Sequence, residues 1–167
     1  PTQLCGLPNG VGTKGKWYDH KVSVKNPVKS DDTDAKKDDK ENKDALALFE
    51  HHQLRKDRKT VMISLLGSEN LKTYPLEYMA KVVDFIADNQ DVNILFNYFP
   101  KQIKDAKIVF DACKPSTQEK IYFDLLGGEL RGFIALMNQC DLIIGNDGGA
   151  INMAKALEKP SFIIFSP

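Results

Sequence analysis

The last third of the chain is what most restricts its fold. Leu142-Ile143-Ile144 is a short apolar run stopped by Gly145, and Gly148-Gly149 opens directly into a helical face of Ala150, Met153, Ala154 and Leu157. Lys159-Pro160 ends that helix, because proline cannot continue it, and residues 162–165 form the next apolar run. A buried strand, a tight glycine turn and an amphipathic helix, repeated, build a parallel sheet.

The same pattern appears upstream. Val61-Met62-Ile63-Ser64-Leu65-Leu66, closed by Gly67, reads as a strand buried on both faces. A helix then opens at Pro75, with Glu77 at the positive end of its dipole and Leu76, Met79, Val83 and Ile86 on one face up to Asn89. Residues 92–96 read as the second strand. Residues 100–106 are a helix candidate, Ile108-Val109-Phe110 a possible third strand and Ile121-Tyr122-Phe123 another. Leu130, Phe133, Ile134 and Met137 fall at i, i+3, i+4 and i+7, one face of a further helix. Short connections imply right-handed crossovers, so the expected fold is α/β, a Rossmann-like parallel sheet with helices on both faces.

Length and composition set the remaining limits. The 167 residues, 42% hydrophobic and 28% charged, allow one ordinary core and not two catalytic domains. Lys plus Arg and Asp plus Glu are both 23, and no local basic patch with aromatics is found, so nucleic acid is not an expected partner. No run approaches the roughly 18 apolar residues of a spanning helix. Cys5, Cys113 and Cys140 are too far apart for a zinc site or a disulfide framework, which points to reduced thiols and a cytoplasmic chain. A start at Pro1 without a charged and then apolar leader argues against a retained signal peptide, and we expect the numbering to begin inside a longer protein.

Three zones differ in composition. Residues 1–28 are Gly-rich, with Gly10-Val11-Gly12-Thr13 as a possible strand end, and read as the end of a preceding domain or a linker. Residues 29–44 hold five Lys and seven Asp or Glu with only Ala35 apolar, which predicts a solvated linker. Residues 45–167 are the Rossmann-like domain. It begins with a short amphipathic helix at Ala45, Leu46, Leu48 and Phe49 that ends in His51 and His52. Neighbouring helix positions point about 100° apart, so these two histidines are poor joint metal ligands.

In such sheets ligands sit beyond the carboxyl ends of the strands, so the loops after Leu66, Phe96, Ile144 and Phe165 are where a site is sought. Gly145-Asn146-Asp147-Gly148-Gly149 is the strongest candidate. Its glycines admit a ligand to the backbone where the first unpaired helix N–H groups point outward, which is a cradle for an anion such as a diphosphate. It matches neither G-x-G-x-x-G nor a P-loop, so NAD binding and NTP hydrolysis are not indicated. The plain alternative is a tight turn in which Asp147 caps the helix. After the first strand, Ser68, Glu69, Asn70, Lys72 and Tyr74 form a second cluster. There Lys72 either joins a helix N-terminus in neutralising phosphate or is an ordinary surface lysine. After the second strand, Tyr98 and Phe99 either hold a base or ribose or belong to the core.

At these residues the chain resembles glycosyltransferase family 9, the heptosyltransferases of lipopolysaccharide core synthesis, in its C-terminal half. The family turn D-[ST]-G-x-x-H-x-A, followed by A-L-x-x-P, is similar to Asp147-Gly148-Gly149-Ala150-Ile151-Asn152-Met153-Ala154 and Ala156-Leu157-Glu158-Lys159-Pro160. Gly148 stands where the family has a hydroxyl and Asn152 where it has histidine, as in a divergent branch. Asn can still donate a hydrogen bond from its amide N–H groups but cannot carry an imidazolium charge. Lys72, Tyr74 and Pro75 match the lysine and W-P pair of the family, and Gln102 aligns loosely with its ribose-binding acid.

The resemblance implies the second domain of a GT-B architecture, which binds the donor while the first domain binds the acceptor. It also implies an inverting, metal-independent transfer, without cofactor, of a heptose-like sugar from an ADP-sugar or similar donor. The donor-binding residues would be Lys72, Gln102, Asp147, Gly148, Gly149 and Asn152. The acceptor would be a lipopolysaccharide-type or lipid-linked glycan, with the catalytic base and any peripheral contact with the inner membrane coming from the other domain. Family members continue past the strand before Pro167, so a fragment that binds weakly or not at all, and is inactive alone, is expected. Two other readings are a binding module that kept the fold and lost the chemistry, and a GT-B-like nucleotide-sugar epimerase.

Overall fold

The computed structural model describes residues 32–67 and 72–165, with the backbone alone for residues 32–38. The expectations for residues 1–28, Cys5, Ser68, Glu69 and Asn70 lie outside the described residues. The described elements follow in the order α1 (Asp32–His51), β1 (Lys59–Ser64), α2 (Leu76–Asn89), β2 (Val92–Asn97), α3 (Ile103–Ala112), α4 (Pro115–Gln118), β3 (Ile121–Tyr122), α5 (Leu130–Gln139), β4 (Leu142–Asn146), α6 (Gly149–Ala156) and β5 (Ser161–Ile164). The five strands are all parallel, in the order β3-β2-β1-β4-β5. This is the doubly wound Rossmann order 3-2-1-4-5, and the winding reverses between β1 and β4.

Alternation along the strands divides the core into two layers. Val61, Ile63, Val92, Ile94 and Phe96 face α2 and α3, where Met79, Val83, Ala106 and Val109 meet them. Met62, Leu95 and Ile143 face the other way, onto Ala135, Leu136 and Met137 of α5, Ile151 and Ala154 of α6, and Ala45 of α1. Both faces of the sheet are therefore covered by helices, as the apolar runs require.

Two sequence expectations are corrected. Residues 29–44, read as a solvated linker, are helical from Asp32 onward. Ala45 is buried against the second layer, Glu41 pairs with Arg131 of α5, and the Asn42 Oδ1 accepts from Asn138 Nδ2 at 3.2 Å and Gln139 Nε2 at 3.1 Å. Once that end is anchored, helix propagates through Ala35, Lys36, Lys37 and Lys40, which are good helix formers, and Asp39 lies four residues before Lys43. Ile108-Val109-Phe110, a possible strand, belongs instead to α3. Ala106, Val109 and Cys113 are the buried set, at i, i+3 and i+7, while Ile108 is exposed. The strand at Ile121 is present, and α1 ends at His51 with His52 just beyond it. Among the described residues no group of three or more His, Cys, Asp or Glu side chains is placed to hold a metal ion.

The approach of β1 to β4 is tight. A Cβ on Gly145 would lie 2.6 Å from Ser64 Cβ and 2.9 Å from the Ser64 carbonyl oxygen. Gly145→Ala must therefore push the strands apart, and we expect a loss of roughly 1–3 kcal/mol, as for other overpacked interiors. The urea midpoint measures it, and an unchanged midpoint would contradict the packing described.

Cys113 and Cys140 are buried free thiols. Their Sγ atoms donate to the carbonyls of Val109 at 3.2 Å and Leu136 at 3.3 Å. Burial pushes each from an ordinary 9.0 up to about 12, with Asp84 adding to the rise at Cys113 and Asp141 at Cys140. Folded thiols thus stay protonated where unfolded ones ionise. The stability they contribute is complete below pH 9.0 and is lost as pH rises toward about 12. In a Cys5→Ser background, a disulfide reagent should leave both native thiols unlabelled at pH 8 and label them on unfolding. Prompt labelling of the folded chain would be the contrary result.

Candidate functional site

A cleft of about 350 Å³ lies at the carboxyl ends of β1, β2 and β4, where the sheet reverses its winding. Its polar lining holds Ser64, Asn97 and Asn146, the last residues of those three strands, and Gln102 and Glu129 from the loops. Ser64 and Asn146 are buried, and Asn97 Nδ2 donates to Ser64 Oγ at 3.4 Å. Its apolar wall includes Phe99, Leu126, Leu130, Phe133 and Met153. Phe99 and Leu130 are 67% and 62% exposed, an unusual state for large apolar side chains that face one hollow.

Gly148 and Gly149 form another part of the lining. Gly148 occupies the cap position of α6 without any side-chain cap, so Asp147 does not play that part. The first turn closes with the Asn152 N–H donating to the Gly148 carbonyl at 3.1 Å, which leaves the N–H groups of Gly149, Ala150 and Ile151 outside the helical ladder. A Cβ on Gly148 would come no nearer than 3.9 Å to the chain, and one on Gly149 no nearer than 4.0 Å. Packing therefore does not require glycine at either position, and bare backbone there keeps the cleft surface clear. The positive end of α6 makes this surface suited to negative charge.

The residues singled out in the sequence divide into two groups. Gly148, Gly149 and Gln102 line the cleft, whereas Lys72, Asp147 and Asn152 are exposed and lie outside that lining. Gln102 closes the short turn Pro100–Gln102 by accepting the Phe99 N–H on its Oε1 at 2.9 Å, so its amide nitrogen is the end left to donate. Asp147 donates its N–H to the Ile164 carbonyl at 3.1 Å, which ties the turn to β5. Lys72 stands where its loop returns to β1, with its carbonyl so close to Gly67 that a Cβ there would lie 2.5 Å away. Tyr98 proves to be core, with its hydroxyl donating to the Phe123 carbonyl at 3.2 Å and its ring 5.1 Å from that of Phe123. Phe99 belongs to the cleft.

Sequence reasoning missed two contributors. One is the loop from Leu126 to Leu130, where Gly128 has φ +67° and Gly127 packs so closely on Gly132 and Phe133 that no side chain fits. The adjacent pair Gly127-Gly128 was the available signal. The other is the part played by Asn146, which the sequence placed in the candidate turn without a role and which is buried at the end of β4.

The chain is 32% identical over 120 residues to lipopolysaccharide heptosyltransferase 1 of Campylobacter coli, covering 71% of this chain and 34% of that protein. Its fold matches E. coli ADP-heptose lps heptosyltransferase II with a TM-score of 0.65 at 18% identity, over 74% of this chain and 37% of the other. A glycosyl transferase family 9 protein of Veillonella parvula matches with a TM-score of 0.62 at 20% identity, over 74% and 34%. The chain thus spans about a third of the length of these relatives. Residues 19–167 match the family description glycosyltransferase family 9 (heptosyltransferase), and the chain belongs to that family.

Proposed function

We propose that this chain is the donor-binding part, the second domain of a GT-B pair, in an inverting transferase. It would move a heptose-like sugar from an ADP-sugar to a lipopolysaccharide-type glycan. One observation carries the reading: the bare Gly148-Gly149 backbone at the positive end of α6 lies in a cleft at the reversal point of the sheet. The diphosphate meets the free N–H groups of α6, and the apolar wall at Phe99, Leu130 and Phe133 receives a flat base. The amide nitrogen of Gln102 is left to donate to a ribose hydroxyl. ADP-heptose appears in the description of the E. coli relative, which supports the choice of donor.

In the transfer, an acceptor hydroxyl oxygen bonds to the anomeric carbon as the bond from that carbon to the diphosphate oxygen breaks. The electron pair leaves with the nucleoside diphosphate. Charge gathering on that leaving group is met by the α6 N–H groups and the Lys72 ammonium, fixed dipoles and a cation in place of a metal. The base that takes the hydroxyl proton belongs to the acceptor side, and no residue of this chain is assigned to it. None of the described helices is long and apolar enough to cross a membrane. We place the reaction in the cytoplasm, with any contact with the inner membrane made through the acceptor side.

Gly148 carries no hydroxyl and Asn152 lies outside the cleft lining, which favours one second reading, a binding module that holds the nucleotide without transfer. Sugar transfer by the protein that carries this domain excludes it.

The test is a thermal-shift titration of the protein that carries this domain, with this chain alongside, against ADP, UDP, GDP and ADP-heptose, since a ligand of the folded state must raise apparent stability. Selective stabilisation by ADP and ADP-heptose is expected; no shift with any of them at millimolar concentration overturns the reading. Lys72→Ala and Gly149→Asp should each weaken ADP binding, and unchanged affinity in both removes the site. Gly149→Ala separates fold from binding. It should hold or raise stability by up to about 1 kcal/mol, since alanine suits a helix better than glycine, while weakening ADP.

A further inference from the structure

Asn146 is 2% exposed at the end of β4, yet every polar atom of its side chain is used. Its Oδ1 accepts the Tyr74 N–H at 2.7 Å. Its Nδ2 donates to the Leu65 carbonyl at 3.0 Å and more weakly to that of Ser64 at 3.4 Å. An N–H on one side and carbonyls on the other fix which end of the amide is oxygen. One short side chain thus joins three segments: the end of β1, the end of β4, and the loop that returns from Lys72 into α2. The loop has its own closure, since the Gly67 N–H donates to Thr73 Oγ1 at 3.0 Å and the Gly67 α-carbon abuts the Lys72 carbonyl.

We propose that Asn146 is a positioning residue that holds residues 72–74, and with them Lys72, in register with the turn at Gly148-Gly149. The two halves of the diphosphate site lie 70 and more positions apart in sequence, and this amide is a direct bond between their bases. Asparagine suits the place because it accepts and donates from one short group. Aspartate would lose the donors, and an aliphatic residue would leave a buried N–H and two carbonyls to find other partners. That the positioning serves a diphosphate rests on the proposed function; that Asn146 orders the loop does not.

The experiment therefore has two readouts. In the wild-type chain, hydrogen exchange at the Tyr74 amide should be as slow as at the β1 and β4 ladder amides. Exchange at the rate of an unstructured loop overturns the proposal without any variant. In Asn146→Ala, Tyr74 exchange should quicken and ADP should bind about tenfold more weakly, the scale expected when a buried hydrogen-bonded group is lost, while AMP changes less than twofold. Asn146→Asp, which keeps the acceptor for Tyr74, should restore most of the Tyr74 protection. Unchanged exchange in Asn146→Ala, or equal weakening of ADP and AMP, contradicts the proposal. If the wild-type chain binds neither nucleotide, the donor reading falls, and Tyr74 exchange still decides what Asn146 does.

Discussion

Everything about the cleft depends on how closely β1 and β4 approach. They are neighbours in the sheet but far apart in sequence, and the winding reverses between them, so the loops that follow them turn to opposite faces and leave a hollow. Gly145 permits the contact because no side chain fits against Ser64. One residue later, Asn146 turns the same proximity into hydrogen bonds that reach the loop before α2. The next residues release the chain into α6 with its first N–H groups unused. Close packing, polar satisfaction and a run of N–H groups outside the helical ladder thus follow one another within five residues.

The cleft combines two surfaces of different chemistry. Strand ends supply Ser64, Asn97 and Asn146, already engaged with one another and with backbone, so this part is rigid and its polar atoms are largely satisfied. The loops supply Phe99 and Leu130, whose exposure costs hydrophobic free energy unless something apolar and flat covers them. A nucleotide presents such a pairing of parts, anionic at one end and aromatic at the other.

Much of this was legible in the sequence, for reasons that can be named. Strands buried on both faces are nearly continuous apolar runs, so β1, β2 and β4 stood out, and helices bounded by Pro75 or by Lys159-Pro160 carried their own limits. The glycine turn before α6 was legible because glycine at a strand-to-helix junction has few other uses. The rest depended on tertiary contact. Ile108-Val109-Phe110 is apolar enough for a strand, and only the partners of Val109 decide for helix. The charged start of α1 has no local reason to order until Glu41 and Asn42 meet α5, about 90 residues on. Asn146 looked like one more polar residue in a turn, because its role lies in bonds to Leu65 and Tyr74 that no spacing rule encodes. Among the donor residues implied by family resemblance, Gly148, Gly149 and Gln102 come together at the cleft, whereas Lys72, Asp147 and Asn152 are exposed and lie outside its lining.

The central claim is that the glycine turn before α6 holds the phosphates of a nucleotide. A titration of the isotope-labelled chain with ADP, followed by amide resonances, tests it most directly, because weak binding is still visible and each N–H reports separately. The account predicts saturable shifts centred on Gly148, Gly149 and Ala150, with smaller ones at Phe99 and Leu130 and none on α1. Shifts that are absent at millimolar ADP, or that gather on another face of the sheet, would contradict it.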